Sequence, residues 1–351
     1  MSDYAGVGGT ISGNVVKKEA FVLSMLIASL IGFALIPALT PFWWKTGAQQ
    51  SAYVAVTYVT SMHIGLTYFF YLDRDAQTLI RSQWFRFYVA APATLAFFFL
   101  AFYLGSEPVR NTLWVFIGGW TIWHFQKQNF GIFNLVNLAR SSGPMKREEK
   151  FAIYAAGIAG VLFNSIGYAK GLTSLGYAAW STPALVAGYA FQAVAVGVAA
   201  LVMYRDRSDL ALRHAFLVIF VLNWLPLAFL PWQVAFFACA YGHGIQYALM
   251  MGIVGSNSSR IALFRNLSPR ITPYVGVTTV ALIGVGMFWF AGHTGMLFGN
   301  GSETTPLGAG LIGLTFAVTG VHYVLDAGIW RMRLPLPRQY MQQKLNFLFS
   351  K

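Results

Sequence analysis

Six histidines occur in the chain, and four of them, His63, His124, His243 and His322, lie singly in four separate long apolar segments. An imidazole inside hydrocarbon is costly unless a partner satisfies it. A lone one is ordinarily explained by a hydrogen bond between helices. Four on neighbouring segments are more economically explained by a shared metal or haem, because neutral imidazole is the commonest metal ligand in proteins. Four imidazoles on one Fe(II) leave one or two coordination positions open for chemistry. A single shared ion requires the four ligating nitrogens to converge within about 4 Å of one another.

Each histidine has polar company at helical spacing. Residues three and four apart on a helix are neighbours. Lys127 and Gln128 therefore fall beside His124, Gln246 and Tyr247 beside His243, Asp326 beside His322, and Thr60 and Thr67 beside His63. A metal-bound imidazole usually donates its other ring N–H to a carboxylate or similar group. Lys127, Asp326, Gln246 and Tyr247 are accordingly the candidate catalytic side chains, orienting the ligands or handling protons. Lys127 and Asp326 are also the two formally charged side chains clearly within the apolar segments. Pairing would remove most of their burial cost, so a Lys127–Asp326 contact is expected, either catalytic or fixing helix register. His214 follows Arg213 at a helix start and His293 lies at the end of its segment, so neither joins the proposed set.

The elements that must position these groups are membrane helices. With 57% hydrophobic and 10% charged residues among 351, the chain is not a soluble globular protein. Apolar runs recur at about 20 residues, the length that crosses the hydrocarbon layer as helix. Strand-type alternation is absent, which argues against a barrel. Ten spans are predicted: 20–40, 51–72, 87–105, 111–138, 151–169, 184–204, 215–230, 232–255, 272–294 and 308–330. The expected fold is an all-α polytopic membrane bundle over residues 20–330. A polar tail, 1–19, precedes it and a basic tail, 331–351, follows. The run after Lys17 and Lys18 is too long for a signal-peptide core and is read as a retained span.

Lysines and arginines alternate sharply between loops. The two tails and every second loop hold 20 of the 24, whereas the opposite loops hold only Lys45, Arg110 and Lys170. Cytoplasmic loops retain Lys and Arg, so both termini are expected in the cytoplasm. The net charge of +13 is then topogenic and no sign of nucleic acid. The second, fourth, eighth and tenth spans run in the same direction, and each carries one histidine; the sixth has Gln192 instead. Counting to the next cytosolic charge, His63 is 10 residues from Asp73, His124 16 from Arg140, His243 17 from Arg260 and His322 9 from Arg331. At 1.5 Å per residue the four imidazoles share a similar depth. The C-terminal tail, with two prolines and a short amphipathic stretch, is expected along the membrane surface.

Several chemistries are excluded. The single cysteine, Cys239, rules out an intrachain disulfide and a cysteine-ligated zinc or iron–sulfur site. The chain has no GxxxxGK[ST] and no HExxH. The HxxxH plus HxxHH boxes of membrane desaturases are also missing.

The segment His322-Tyr323-Val324-Leu325-Asp326 resembles the H-x-x-x-D segment of the Brp/Blh family of bacterial membrane β-carotene dioxygenases, and His124-Phe125 is similar to that family's H-F-G. The chain lacks the family's H-x-x-x-H pair, and His124-Phe125 continues into Gln-Lys-Gln. The likeness covers the spans and not the loops. It implies a polytopic bundle in a bacterial inner membrane, holding non-haem iron on His63, His124, His243 and His322. It further implies an oxygenase or oxidoreductase acting on an apolar isoprenoid or lipid delivered from the bilayer. Two other classes stay open on the residues alone: a haem b protein for electron transfer or haem modification, with paired axial histidines, and a proton-coupled transporter.

Overall fold

The computed structural model describes residues 18–43, 61–171, 178–206, 211–258, 272–293 and 305–349. It is all-helical, with no strand among these residues. The principal helices are α1 (Lys18–Trp43), α2 (61–67), α3 (Phe69–Leu72), α4 (Gln77–Ser82), α5 (Ala91–Leu104), α6 (Glu107–Ala139) and α7 (Arg147–Gly171). They are followed by α8 (Ala178–Arg205), α9 (Ala211–Leu222), α10 (Pro226–Phe229), α11 (Trp232–Ser256), α12 (Thr272–His293), α13 (Pro306–Ile329), α14 (Pro335–Lys344) and α15 (Asn346–Phe349). Six segments are long and apolar enough to cross a membrane: Lys18–Ile36, Phe85–Leu104, Arg147–Gly167, Ala179–Arg205, Ala211–Phe229 and Pro306–Ile329. These fall on six of the ten spans expected. α6 and α11, with 33 and 25 residues, are long enough but are diluted by the amides and histidines they carry. Residues 51–60 of the second expected span and most of the 295–307 loop lie outside the described residues.

Helix starts follow local chemistry. Thr305 accepts from the Gly308 N–H at 3.2 Å ahead of Pro306, capping α13. Glu107 and Pro108 open α6, where a carboxylate favours the helix N-terminus. In the turn between α6 and α7, Gly143 adopts φ +80°, which a Cβ would oppose. Arg213, read from sequence as a loop charge, is buried here. Its guanidinium grips Glu149 with two bonds of 2.6 Å and also donates to the Ser142 and Pro144 carbonyls, tying α9 to that turn.

The span over 211–230 is broken. α9 stops at Leu222 and α10 begins at Pro226, whose missing N–H cannot continue the ladder. Irregular backbone at membrane depth must find partners inside the protein. Gln192 Nε2 donates to the Val221 carbonyl at 2.9 Å, and Cys239 Sγ to the Asn223 carbonyl at 3.2 Å. This accounts for two polar residues that stand inside apolar runs.

Helix pairs α5–α13, α7–α8, α6–α7 and α1–α11 make the most extensive packing. α2 meets α12 so closely that a side chain on Gly65 would strike the Val280 carbonyl, and this approach seats α2, and His63 with it, against its neighbours. In the C-terminal segment, α14 and α15 fold against the bundle, burying Tyr340, Met341, Lys344, Leu345 and Leu348. Lys344 Nζ sits 3.2 Å from Asp73 and 2.5 Å from Asp75, while the Tyr340 hydroxyl and Ser258 Oγ donate to the same Asp73 oxygen at 2.7 and 2.9 Å. Burial and the Asp73 charge push the Tyr340 phenol above its ordinary value.

Candidate metal centre

Four helices deliver one histidine each to a common point: His63 from α2, His124 from α6, His243 from α11 and His322 from α13. All four side chains are buried. Their rings form a closed cycle. Centroids lie 4.7 Å apart for His63–His243, 5.3 Å for His243–His124, 4.7 Å for His124–His322 and 4.8 Å for His322–His63. Neighbouring planes are crossed at 68 to 90°. With metal–nitrogen bonds of about 2.1 Å, an ion lies about 3.2 Å from each centroid, which sets neighbouring rings roughly 4.5–5.2 Å apart. Three of the four spacings fall in that range, and His243–His124 at 5.3 Å lies at its upper edge.

The ligand atoms fall into two overlapping groups. His63, His243 and His322 offer nitrogens all within 4.8 Å of one another, and so do His124, His322 and Asp326 with a carboxylate oxygen. This is wider than the ~4 Å anticipated, and His124 joins His322 and Asp326 rather than His63 and His243. Both ring nitrogens of His243, Nε2 of His124 and Nε2 of His322 are buried without a hydrogen-bond partner among the described residues. Buried imidazole nitrogens are normally satisfied, so a set of unpartnered nitrogens on three adjacent rings fits a ligand that accepts nitrogen lone pairs.

The other nitrogen of His322 is held. Its Nδ1 contacts Thr67 Oγ1, which in turn lies 3.3 Å from Asp326 Oδ1 and 2.7 Å from the Tyr247 hydroxyl. Tyr247 itself donates to Asp326 Oδ1 at 2.8 Å. A consistent assignment runs His322 Nδ1–H to Thr67, Thr67 to Asp326, and leaves Nε2 directed at the centre. Asp326 Oδ2 also stands 3.8 Å from His124 Nε2. The His124 ring stacks on Tyr323 at 4.1 Å, and His243 stacks on Phe125 at 3.9 Å, so both imidazoles are fixed in plane by aromatic neighbours.

Of the four candidate catalytic side chains, Asp326 and Tyr247 belong to this network. Gln246 stands one layer back: its Nε2 donates to Ser29 Oγ at 2.8 Å and its Oε1 accepts from Gln128, which also donates to the His243 carbonyl at 3.1 Å. Beside it, Ser29, Asn129, Asn223, Gln246 and His243 line a small cavity with room for about one water.

Lys127 is elsewhere, and the expected Lys127–Asp326 pair does not form. Its ammonium donates to the Tyr154 hydroxyl at 3.0 Å and lies over the Trp123 and Tyr154 rings at 4.9 and 4.3 Å. The reason is angular. At 100° per residue, Gln128 is about 40° from His124 but Lys127 is about 60° away on the other side. There it joins the outward stripe of α6 with Phe116 and Leu138. Thr67 was legible only as a neighbour of His63; it serves His322 on another helix. Tyr323 and Phe125 were legible only as aromatic residues following histidines.

No family model, curated protein or solved structure matches this chain. The centre must be judged on its own geometry.

Proposed function

We propose that the chain is an integral membrane metalloenzyme in which His63, His124, His243 and His322 hold one non-haem iron, and that it oxidises an apolar isoprenoid or lipid drawn from the bilayer. The observation that carries this reading is the closed cycle of four buried imidazoles at 4.7 to 5.3 Å, with nitrogens of His124, His243 and His322 that lack a hydrogen-bond partner among the described residues. An ion bound there would supply Lewis-acid and redox chemistry.

The chain's own residues have separate tasks. Thr67 and Asp326 hold His322 in one tautomer. Tyr247, hydrogen-bonded to Asp326, keeps a proton beside the centre. Phe125 and Tyr323 brace two of the rings and exclude water. Asp326 supports the reading a second way. It is a buried carboxylate whose partners are a phenol, a hydroxyl and two imidazoles, and a dication among those imidazoles would balance its charge.

A haem held by two of these histidines needs a porphyrin-wide slab between opposed rings, which the four short neighbour spacings disfavour. A proton-coupled carrier built on Lys127, Asp326 and the histidines loses Lys127, which lies against Tyr154 instead. The same reading takes the chain as ten spans with both termini cytoplasmic, in a bacterial inner membrane. Metal analysis and an optical spectrum of the purified protein test it. One iron per chain and no Soret band are expected. A Soret band, or no stoichiometric transition metal after purification without chelators, overturns it.

A further inference from the structure

Lys127 was drawn from sequence into the centre, and its actual position raises a separate question. It lies on the outward face of α6, 11 residues before the expected span ends at 138, and has no carboxylate partner among the described residues. Its ammonium reaches along the groove between α6 and α7 to Tyr154. Lys150, one turn before Tyr154 on α7, places its own ammonium 5.9 Å from the Tyr154 ring and 5.9 Å from Phe130. Two ammonium groups therefore flank one aromatic ring. The rings form the groove wall: Tyr154 stacks on Trp123 at 5.6 Å and on Phe130 at 5.4 Å. Phe151, beside them, is 53% exposed.

Neither lysine is neutralised by what surrounds it. Cation–π contact directs an ammonium without cancelling its charge. Of the two acidic residues opening α7, Glu149 is already committed to Arg213 and Glu148 makes no ion pair with either lysine among the described residues; Lys146 is committed to Asp206 at 2.6 Å. An uncompensated ammonium on the apolar, outward face of α6 is costly in a bilayer, and Lys150 adds a second positive charge beside it. We infer that the α6–α7 groove binds the headgroup of an anionic phospholipid, its phosphate between Lys127 and Lys150 and its glycerol and acyl chains along Trp123, Phe130 and Tyr154. This rests on the chain being a membrane bundle and is independent of any metal. The lipid is favoured over an acidic protein segment because the walls are apolar rings suited to acyl chain, and Lys150 stands in the first turns of α7, beside the loop that the charge pattern assigns to the cytoplasmic face, where headgroups sit.

Native mass spectrometry of the full chain in detergent, titrated with phosphatidylglycerol or phosphatidylcholine, tests the inference. The wild type should retain one phosphatidylglycerol in preference to phosphatidylcholine. Lys127→Gln and Lys150→Gln should each weaken that retention about fivefold, the worth of one lysine at a membrane surface. Lys127→Arg, which keeps the charge, should retain it, as should Lys146→Gln, whose lysine is already paired. No preference for the anionic lipid in the wild type overturns the proposal. So does an equal loss in Lys146→Gln, or a Lys127→Gln protein that folds, by an unchanged melt, and binds as the wild type does. Because metal content is read on the same samples, failure here is distinguishable from failure of the iron reading.

Discussion

Thr67→Val is the sharpest probe of the centre, because valine keeps the shape and removes only the hydroxyl. In the native site that hydroxyl contacts His322 Nδ1, Tyr247 and Asp326 at once. The losses are unequal. Asp326 keeps the 2.8 Å bond from Tyr247, so the carboxylate stays partnered. His322 Nδ1–H is left buried with no acceptor, at about 1–3 kcal/mol. The imidazole can then relax by turning, which moves Nε2 away from the centre. Loss of a partner behind a metal-bound histidine ordinarily lowers metal affinity about 10- to 100-fold, or about 1.4–2.7 kcal/mol.

Tyr247→Phe provides the contrast. It removes one donor to Asp326 and leaves the contact between His322 and Thr67 in place, so its effect on metal affinity should be several-fold smaller. Thr67→Ser should restore most of the loss. The assay is equilibrium competition against a chelator of known affinity, with Fe(II) or Co(II), accompanied by a thermal melt of the metal-free protein. If Thr67→Val binds metal within twofold of the wild type while remaining folded, Thr67 does not orient His322. Equal losses in Thr67→Val and Tyr247→Phe would refute the assignment too, because the two substitutions disturb His322 differently.

Each of His63→Ala, His124→Ala, His243→Ala and His322→Ala should abolish most of the bound metal, whereas His214→Ala should not; metal content per folded chain checks this. Imidazoles bind metal only when neutral, so metal should be released on strong acidification and recovered on return, read by dialysis across pH. Arg213→Met should destabilise the protein by about 3–5 kcal/mol, because it leaves Glu149 buried without its cation, and Glu149→Gln combined with Arg213→Met should recover part of that loss in a denaturant melt. Tyr340 is held in its neutral form by burial beside Asp73. Its raised value means that its contribution is present below an unfolded phenol's pKa of about 10 and declines above it; Tyr340→Phe should remove that part of any alkaline loosening of α14, seen as increased proteolysis of the C-terminal segment.

What the sequence disclosed depended on how far each inference had to reach. Helical class and the apolar segments followed from composition and run length, which are local properties. The grouping of His63, His124, His243 and His322 was legible because each stands alone in its own apolar segment, where an imidazole without a partner is costly. Azimuth was the missing coordinate. The i+3 and i+4 rule covers an arc of about 100°, wide enough to place Gln128 beside His243 and Lys127 beside Tyr154 on opposite flanks of one helix. Only the packing of α7 against α6 decides which flank is outward, and no local pattern specifies that packing. The same limit hid Thr67, whose hydroxyl crosses from α2 to α13, and the C-terminal segment, whose amphipathic pattern fits a lipid surface and a protein surface equally. Lys344 distinguishes them. A lysine with both ends of its side chain buried against Asp73 and Asp75 is stable only when those carboxylates are presented by a folded neighbour. That neighbour is the segment just after α3, on the same strand of chain that carries His63 and Thr67. The tail therefore closes the end of the bundle beneath the centre, and the polar residues that looked separate in sequence belong to two stacked layers, one holding the imidazoles and one locking the helix that delivers His63.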